Sequence, residues 1–145
     1  MVSETGSSWL LWALFSAVFA ALTAIFAKVG VEGIDSDLAT FVRTIVILIV
    51  LGLLLAATGK FHAVESVSAR SWTFLILSGL ATGASWLCYF RALHAGDAAR
   101  VAPIDKLSVV FVAFMGVLFL GERLSLLGWI GIAFIGGGAI CVALA

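Results

Sequence analysis

Charge is scarce in this chain: eight Lys and Arg balance eight Asp and Glu, and charged residues fill 11% of 145 positions. A soluble domain of this length has too little interior to hide the 63% of residues that are hydrophobic, so a water-facing globule is excluded and the surplus is expected to face lipid. With zero formal net charge and no basic run, nucleic acid is not an expected partner. The only cysteines, Cys88 and Cys141, both lie in apolar stretches and read as small packing residues, which excludes a disulfide framework. His62 and His94 stand alone, so no metal set is expected. No Ser–His–Asp set, HExxH motif, P-loop or strand-bound GxGxxG occurs, so the sequence predicts neither an enzyme nor a cofactor. Proline occurs once, at Pro103.

What the chain has in abundance is apolar length. Five stretches reach the ~20 residues needed to cross a hydrocarbon core, and the sequence predicts helices over about 9–31, 38–58, 72–94, 101–120 and 124–145. The fold class is therefore an all-α integral membrane bundle of five transmembrane helices in a single domain, 1–145. The leading MVSETGSS carries Glu4 and no Lys or Arg, which argues against a signal peptide and for a first span. In that span Ala13, Ala17, Ala20 and Ala24 form a stripe that another helix can approach closely. The second span is uniformly Ile, Val and Leu apart from Arg43, which suggests a lipid-facing role. The loop TGKFHAVESVSARS, with Lys60, Glu65 and Arg70, is a candidate for a short interfacial helix before Trp72.

The third and fourth spans carry the polar residues of interest. Ser78, Thr82, Ser85 and Tyr89 follow i, i+4, i+7, i+11, a single helix face that lipid does not satisfy; it is either a hydroxyl-cemented seam or the wall of a polar cavity. Gly96 and Asp97 read as a helix stop and restart, and Pro103 as a first-turn proline that leaves the fourth helix unbroken. If that helix entered the hydrocarbon only after Lys106, the 14 residues of Leu107–Leu120 would rise about 21 Å against a core of about 30 Å. Asp105 and Lys106 are therefore expected about a turn inside the apolar zone, either snorkelling to the headgroups or lining a cavity. Lys28, Arg43 and Arg91 read as anchors near helix ends, and Glu122 as a partner of Arg123 or a gate. Gly128, Gly131 and Gly136–Gly138 predict close packing of the fifth span.

The stretch RALHAGDAARVAPIDKLSVVFVAFMGVLFLGERLSLLGWIGIAFIGGGAICVA, with SGLATGASWLCYFRAL before it, resembles the EamA-type repeat of the drug/metabolite transporter superfamily, in its short single-repeat bacterial and archaeal form. Arg91-Ala92-Leu93, Gly96, Val101, Pro103, Leu120-Gly121-Glu122 and the glycine spacing carry the likeness. The resemblance implies a carrier of small polar or amphipathic metabolites in a prokaryotic inner membrane. It assigns substrate contacts to Ser85, Trp86, Tyr89, Arg91, Asp105 and Lys106, and gate or hairpin roles to Gly96, Pro103 and Glu122. Larger relatives join two inverted repeats, so this chain is expected to pair with a second copy or a related five-helix protein. Three basic residues on one side (Lys60, Arg70, Arg123) against four on the other (Lys28, Arg43, Arg91, Arg100) permit insertion in both directions. Two rivals stay open: a non-transporting membrane scaffold or accessory subunit, and a flippase for a lipid-linked substrate.

Overall fold

The computed structural model describes residues 5–62 and 67–145. Glu4 and Glu65, which entered the reading of the leading segment and of the long loop, lie outside the described residues. The described chain is all helical: α1 Thr5–Gly30, α2 Ser36–Ala57, α3 Ala69–Ala95, α4 Ala98–Asp105, α5 Ser108–Leu120 and α6 Leu126–Leu144. Among the described residues five segments are long and apolar enough to cross a membrane, with α4 and α5 together making the fourth, Ala98–Leu120.

The termini of these helices follow from local chemistry. The Asp35 carboxylate accepts from the backbone N–H groups of Asp37 and Leu38 at 2.9 and 3.0 Å and so starts α2. Ser125 accepts from Gly128 N–H at 3.1 Å and starts α6. Gly121 stops α5 at φ 68°, a left-handed conformation that a side chain would strain, and Glu122 N–H returns to Gly116 O at 3.1 Å. In the loop after α2, the candidate for a short interfacial helix, residues 63–66 lie outside the described residues; residues 60–62 form one 3₁₀ turn, and α3 begins at Ala69, with Ser68 Oγ accepting from Ser71 N–H.

The chain divides into two compact units, Ala27–His94 and the remainder. In the first, Leu93 and Val31 are the most deeply buried large side chains, and Lys28 Nζ donates to Leu93 O at 2.8 Å. This places a cation on a carbonyl in the last turn of α3, the negative end of its dipole. On α2 the half-buried and buried positions Ser36, Thr40, Arg43 and Ile47 recur at i, i+4, i+7, i+11, so α2 has a packed face as well as a lipid-facing one. In the second unit α4 and α5 both pack on α6. The point of closest approach is Gly136, where a Cβ would stand 3.2 Å from Val110 Cγ2 and 4.0 Å from Leu107 Cδ2. Of the alanine stripe on α1 only Ala24 is buried, joined by Ala27; Ala13, Ala17 and Ala20 are exposed.

One expectation fails at Pro103. The helix restarts immediately after Asp97, so Pro103 is the sixth residue of α4 and lies beyond the first turn. There its missing N–H removes a bond that Ala99 O would otherwise accept. The helix ends two residues later, and Lys106–Leu107 form a turn in which Lys106 N–H reaches Pro103 O at 3.1 Å, Leu107 N–H reaches Ile104 O at 3.0 Å and Val110 N–H reaches Leu107 O at 2.9 Å. These i to i−3 bonds tighten the turn beside i to i−4 bonds from Lys106 N–H to Ala102 O and from Phe111 N–H to Leu107 O, both 3.3 Å, and α5 resumes at Ser108. The fourth span is thus two helices in series.

Candidate functional site

The residues singled out from sequence fall into both units. Ser85, Trp86, Tyr89 and Arg91 belong to Ala27–His94, whereas Gly96, Pro103, Asp105, Lys106 and Glu122 belong to the other, and each group has its own geometry.

In the first group the beginning of α2 faces the end of α3. Arg91 grips Asp37 with two nearly parallel bonds, Nε to Oδ1 at 2.8 Å and Nη2 to Oδ2 at 2.6 Å. A fork of this kind fixes orientation as well as charge. Arg91 is therefore already committed to a carboxylate. Further along, the Arg43 guanidinium lies over the Trp86 ring at 4.1 Å from its centroid and over Phe90 at 5.4 Å. Trp86 and Phe90 are one turn apart on α3, so their faces form a continuous wall for a flat cation. Phe90 is 3% exposed and sits edge-on to Tyr89, with ring centroids 6.5 Å apart. Arg43 had read as an anchor on a lipid-facing helix; it is instead held between helices. The signal available in the sequence was its place as the eighth residue of an apolar span, together with the aromatic pair at 86 and 90.

The hydroxyl face of α3 is exposed at Ser78, Thr82 and Ser85 and half-buried at Tyr89. Thr82 Oγ1 donates to Ser78 O at 2.8 Å, so that hydroxyl is satisfied by its own helix. The same back-bonding occurs on α2 at Thr40 and Thr44.

In the second group Lys106 Nζ meets Asp105 Oδ2 at 3.0 Å, a pair made by neighbours in the chain with 54% and 34% of their side chains exposed. The pair sits at the break. Asp105 is the last residue of α4 and Lys106 its C-cap, so the negative end of α4 favours Lys106 and not Asp105, whose charge is met by Lys106 itself. Counted from Ala98, Asp105 lies about 10 Å along the helix, nearer two turns than the single turn expected from a start at Val101. Glu122 folds back over α5: a Cβ on Gly116 would stand 2.6 Å from Glu122 Oε2. Among the described residues Glu122 makes no ion pair with Arg123. Gly96 and Asp97 form the connection from α3 to α4.

A chain with five helices long and apolar enough to cross a membrane among its described residues is an integral multi-pass membrane protein. It matches the EamA-like transporter family over residues 7–144, and it belongs to that family. A protein of Sinorhizobium sp. described as an uncharacterized transporter in the cobO 3′ region is 63% identical over 136 residues, which cover 94% of this chain and 96% of that protein. No solved structure matches. The chain is thus a membrane transporter by family.

Proposed function

We propose that the protein is a secondary transporter of small polar or amphipathic metabolites in a prokaryotic inner membrane, working by alternating access with a second five-helix unit. The observation that carries this reading is the broken fourth span. In transporters, helices interrupted at membrane depth put backbone carbonyls, N–H groups and dipole ends where a solute or ion binds. Here the interruption is the Lys106–Leu107 turn, immediately after Asp105, with Pro103 before it and Gly136 packed against Leu107 and Val110. In this scheme Ser85, Trp86 and Tyr89 contact the solute and Asp105 and Lys106 form the charged gate. Gly96 and Pro103 shape the hairpin, and Glu122 braces the end of α5. Arg91 contributes by fixing α3 against α2 through Asp37.

The second unit is a copy of this chain, inserted in the opposite direction. With Arg43 held between helices, the basic count near the helix ends drops from four to three on one side against three on the other, a tie that permits both orientations. Gly131 and Gly138, seven residues apart on one side of α6, have open space around them, which gives α6 a face for helix contact. The same face supports the rival reading of a scaffold that binds a partner without transporting.

Reconstituted vesicles separate these. A solute screen by uptake should yield at least one accepted solute, and Asp105→Asn with Lys106→Gln should reduce its uptake at least tenfold. Unchanged uptake of every accepted solute in that double variant would remove the proposed gate. No uptake of any solute, with a partner protein retained on α6, would favour the scaffold. N-terminal tags reporting a single side of the membrane would rule out the inverted pair.

A further inference from the structure

We infer that Arg43 is an anion-binding group, and that the transported solute carries a carboxylate or phosphate which docks on the guanidinium edge while Trp86 and Phe90 hold its face. This rests on the transport reading above and specifies the chemistry of its substrate.

Depth comes first. The Asp37–Arg91 fork ties the two helices at one level. Arg43 is six residues beyond Asp37 on α2, about 9 Å deeper, and Trp86 is five residues before Arg91 on α3, about 7.5 Å deeper by helical rise. The guanidinium lies over Trp86 and over Phe90, which is one residue before Arg91 and so about 1.5 Å deeper than the fork, and it therefore spans the levels of these two rings.

Pairing comes second. A cation held inside a membrane span is costly unless something opposes it. The nearest carboxylates in sequence are spoken for: Asp37 by Arg91 and Asp35 by the start of α2. Among the described residues no carboxylate pairs with Arg43 and none accepts a hydrogen bond from it. Its ring contacts are Trp86 and Phe90, with Tyr89 beside them on α3 as a further neighbour. The five N–H donors around the edge of a guanidinium form a fork suited to two oxygens of one anion. Aromatic faces stabilise the charge without consuming those donors. The residue is thus placed against two rings with no carboxylate partner among the described residues, a state that a bound anion completes.

The test uses the full chain purified in an uncharged maltoside detergent, with benzoate and inorganic phosphate as probes at constant ionic strength against chloride. Thermal midpoints are read for the wild type, Arg43→Lys and Arg43→Gln. A ligand of the folded state raises the midpoint in a saturable way. The wild type should respond so to at least one probe. Arg43→Gln should weaken the apparent affinity about 10- to 100-fold, the loss expected for charge-assisted hydrogen bonds, with Arg43→Lys in between. If Arg43→Gln does not fold, Arg43→Lys carries the test, because it keeps the charge and loses the fork. A wild type that ignores both probes, or a variant that responds as the wild type does, overturns the inference. A midpoint raised only by phosphatidylglycerol, and not by either soluble anion, assigns the site to a lipid headgroup and also overturns it. Uptake of a cationic or neutral solute that is indifferent to Arg43→Gln would leave transport standing without the anion site. Anion binding without uptake of any solute would do the reverse.

Discussion

Two cations lie about two turns inside membrane spans, and the protein treats them differently. Lys106 has its carboxylate next to it in the chain and sits at the turn between α4 and α5, as the C-cap of α4. Arg43 sits mid-helix with two aromatic faces and no carboxylate among the described residues. The first arrangement is locally complete and tolerates movement, since the pair travels with its own segment. The second depends on α3 being in place and leaves the donor edge unspent. A helix can therefore carry a charge at depth either by breaking around it or by leaning it on a neighbour, and only the second leaves it available to a ligand.

The largest effect that would sharpen this contrast is expected from the aromatic wall. Phe90 is 3% exposed, whereas Phe114, stacked on Trp129 at 5.0 Å in the other unit, is 60% exposed. Phe90→Ala should cost about 3 kcal/mol through the cavity it opens and the face it removes from Arg43. Phe114→Ala should cost about 1 kcal/mol or less, because lipid replaces much of what the ring touches. Thermal midpoints of the two variants check this, and equal losses would mean that the two units are packed alike.

Next comes the close approach on α6. Gly136→Val would push a branched side chain into Val110 and Leu107 and should destabilise by about 1–3 kcal/mol. Gly137→Ala, one residue on with open space around it, should stay within about 0.5 kcal/mol. Detergent-dependent unfolding read by the tryptophan signal would compare them. If Gly137→Ala were the more damaging, the contact at the break would not be what seats α6.

The third comparison concerns the neighbouring charges. Because both side chains are partly exposed, the Lys106–Asp105 interaction should be worth about 0.2–1 kcal/mol. Asp105→Asn and Lys106→Gln should each destabilise slightly, and the double variant should destabilise by less than their sum. A strictly additive cycle would separate the two charges energetically despite the 3.0 Å contact.

How much of this could be read from residues alone depends on range. The five spans follow from runs of apolar length, and Gly96-Asp97 marks a helix end by chemistry that acts within one turn. The expectation that Asp105 and Lys106 lie at depth rests on the arithmetic of helical rise alone. What the sequence misplaced was set by one cap and by tertiary partners. Pro103 looked like a first-turn residue because the start was put at Val101; the restart after Asp97 moved it inward and turned it into the prelude to a break. Arg43 looked like an anchor because its partners are 43 and 47 residues away on α3, and no local pattern joins them. The Arg91–Asp37 fork, 54 residues apart, was hidden for the same reason.

The smallest expected effect tests what the hydroxyl face of α3 is for. Thr82 is closed on its own helix through Ser78 O, so Thr82→Val removes a bond the backbone does not need and should change stability by about 0.5 kcal/mol or less. Ser85 lies on the same face and is exposed, one residue from the Trp86 ring that carries Arg43. If the face is a transport wall, Ser85→Ala should lower uptake several-fold with the thermal midpoint unchanged, while Thr82→Val leaves uptake near the wild-type rate. If it is a helix seam, both variants should shift the midpoint together and uptake should follow stability. The two substitutions differ by one turn and a hydrogen bond, so a split between them would locate the solute at the level of Trp86 and not along the whole stripe.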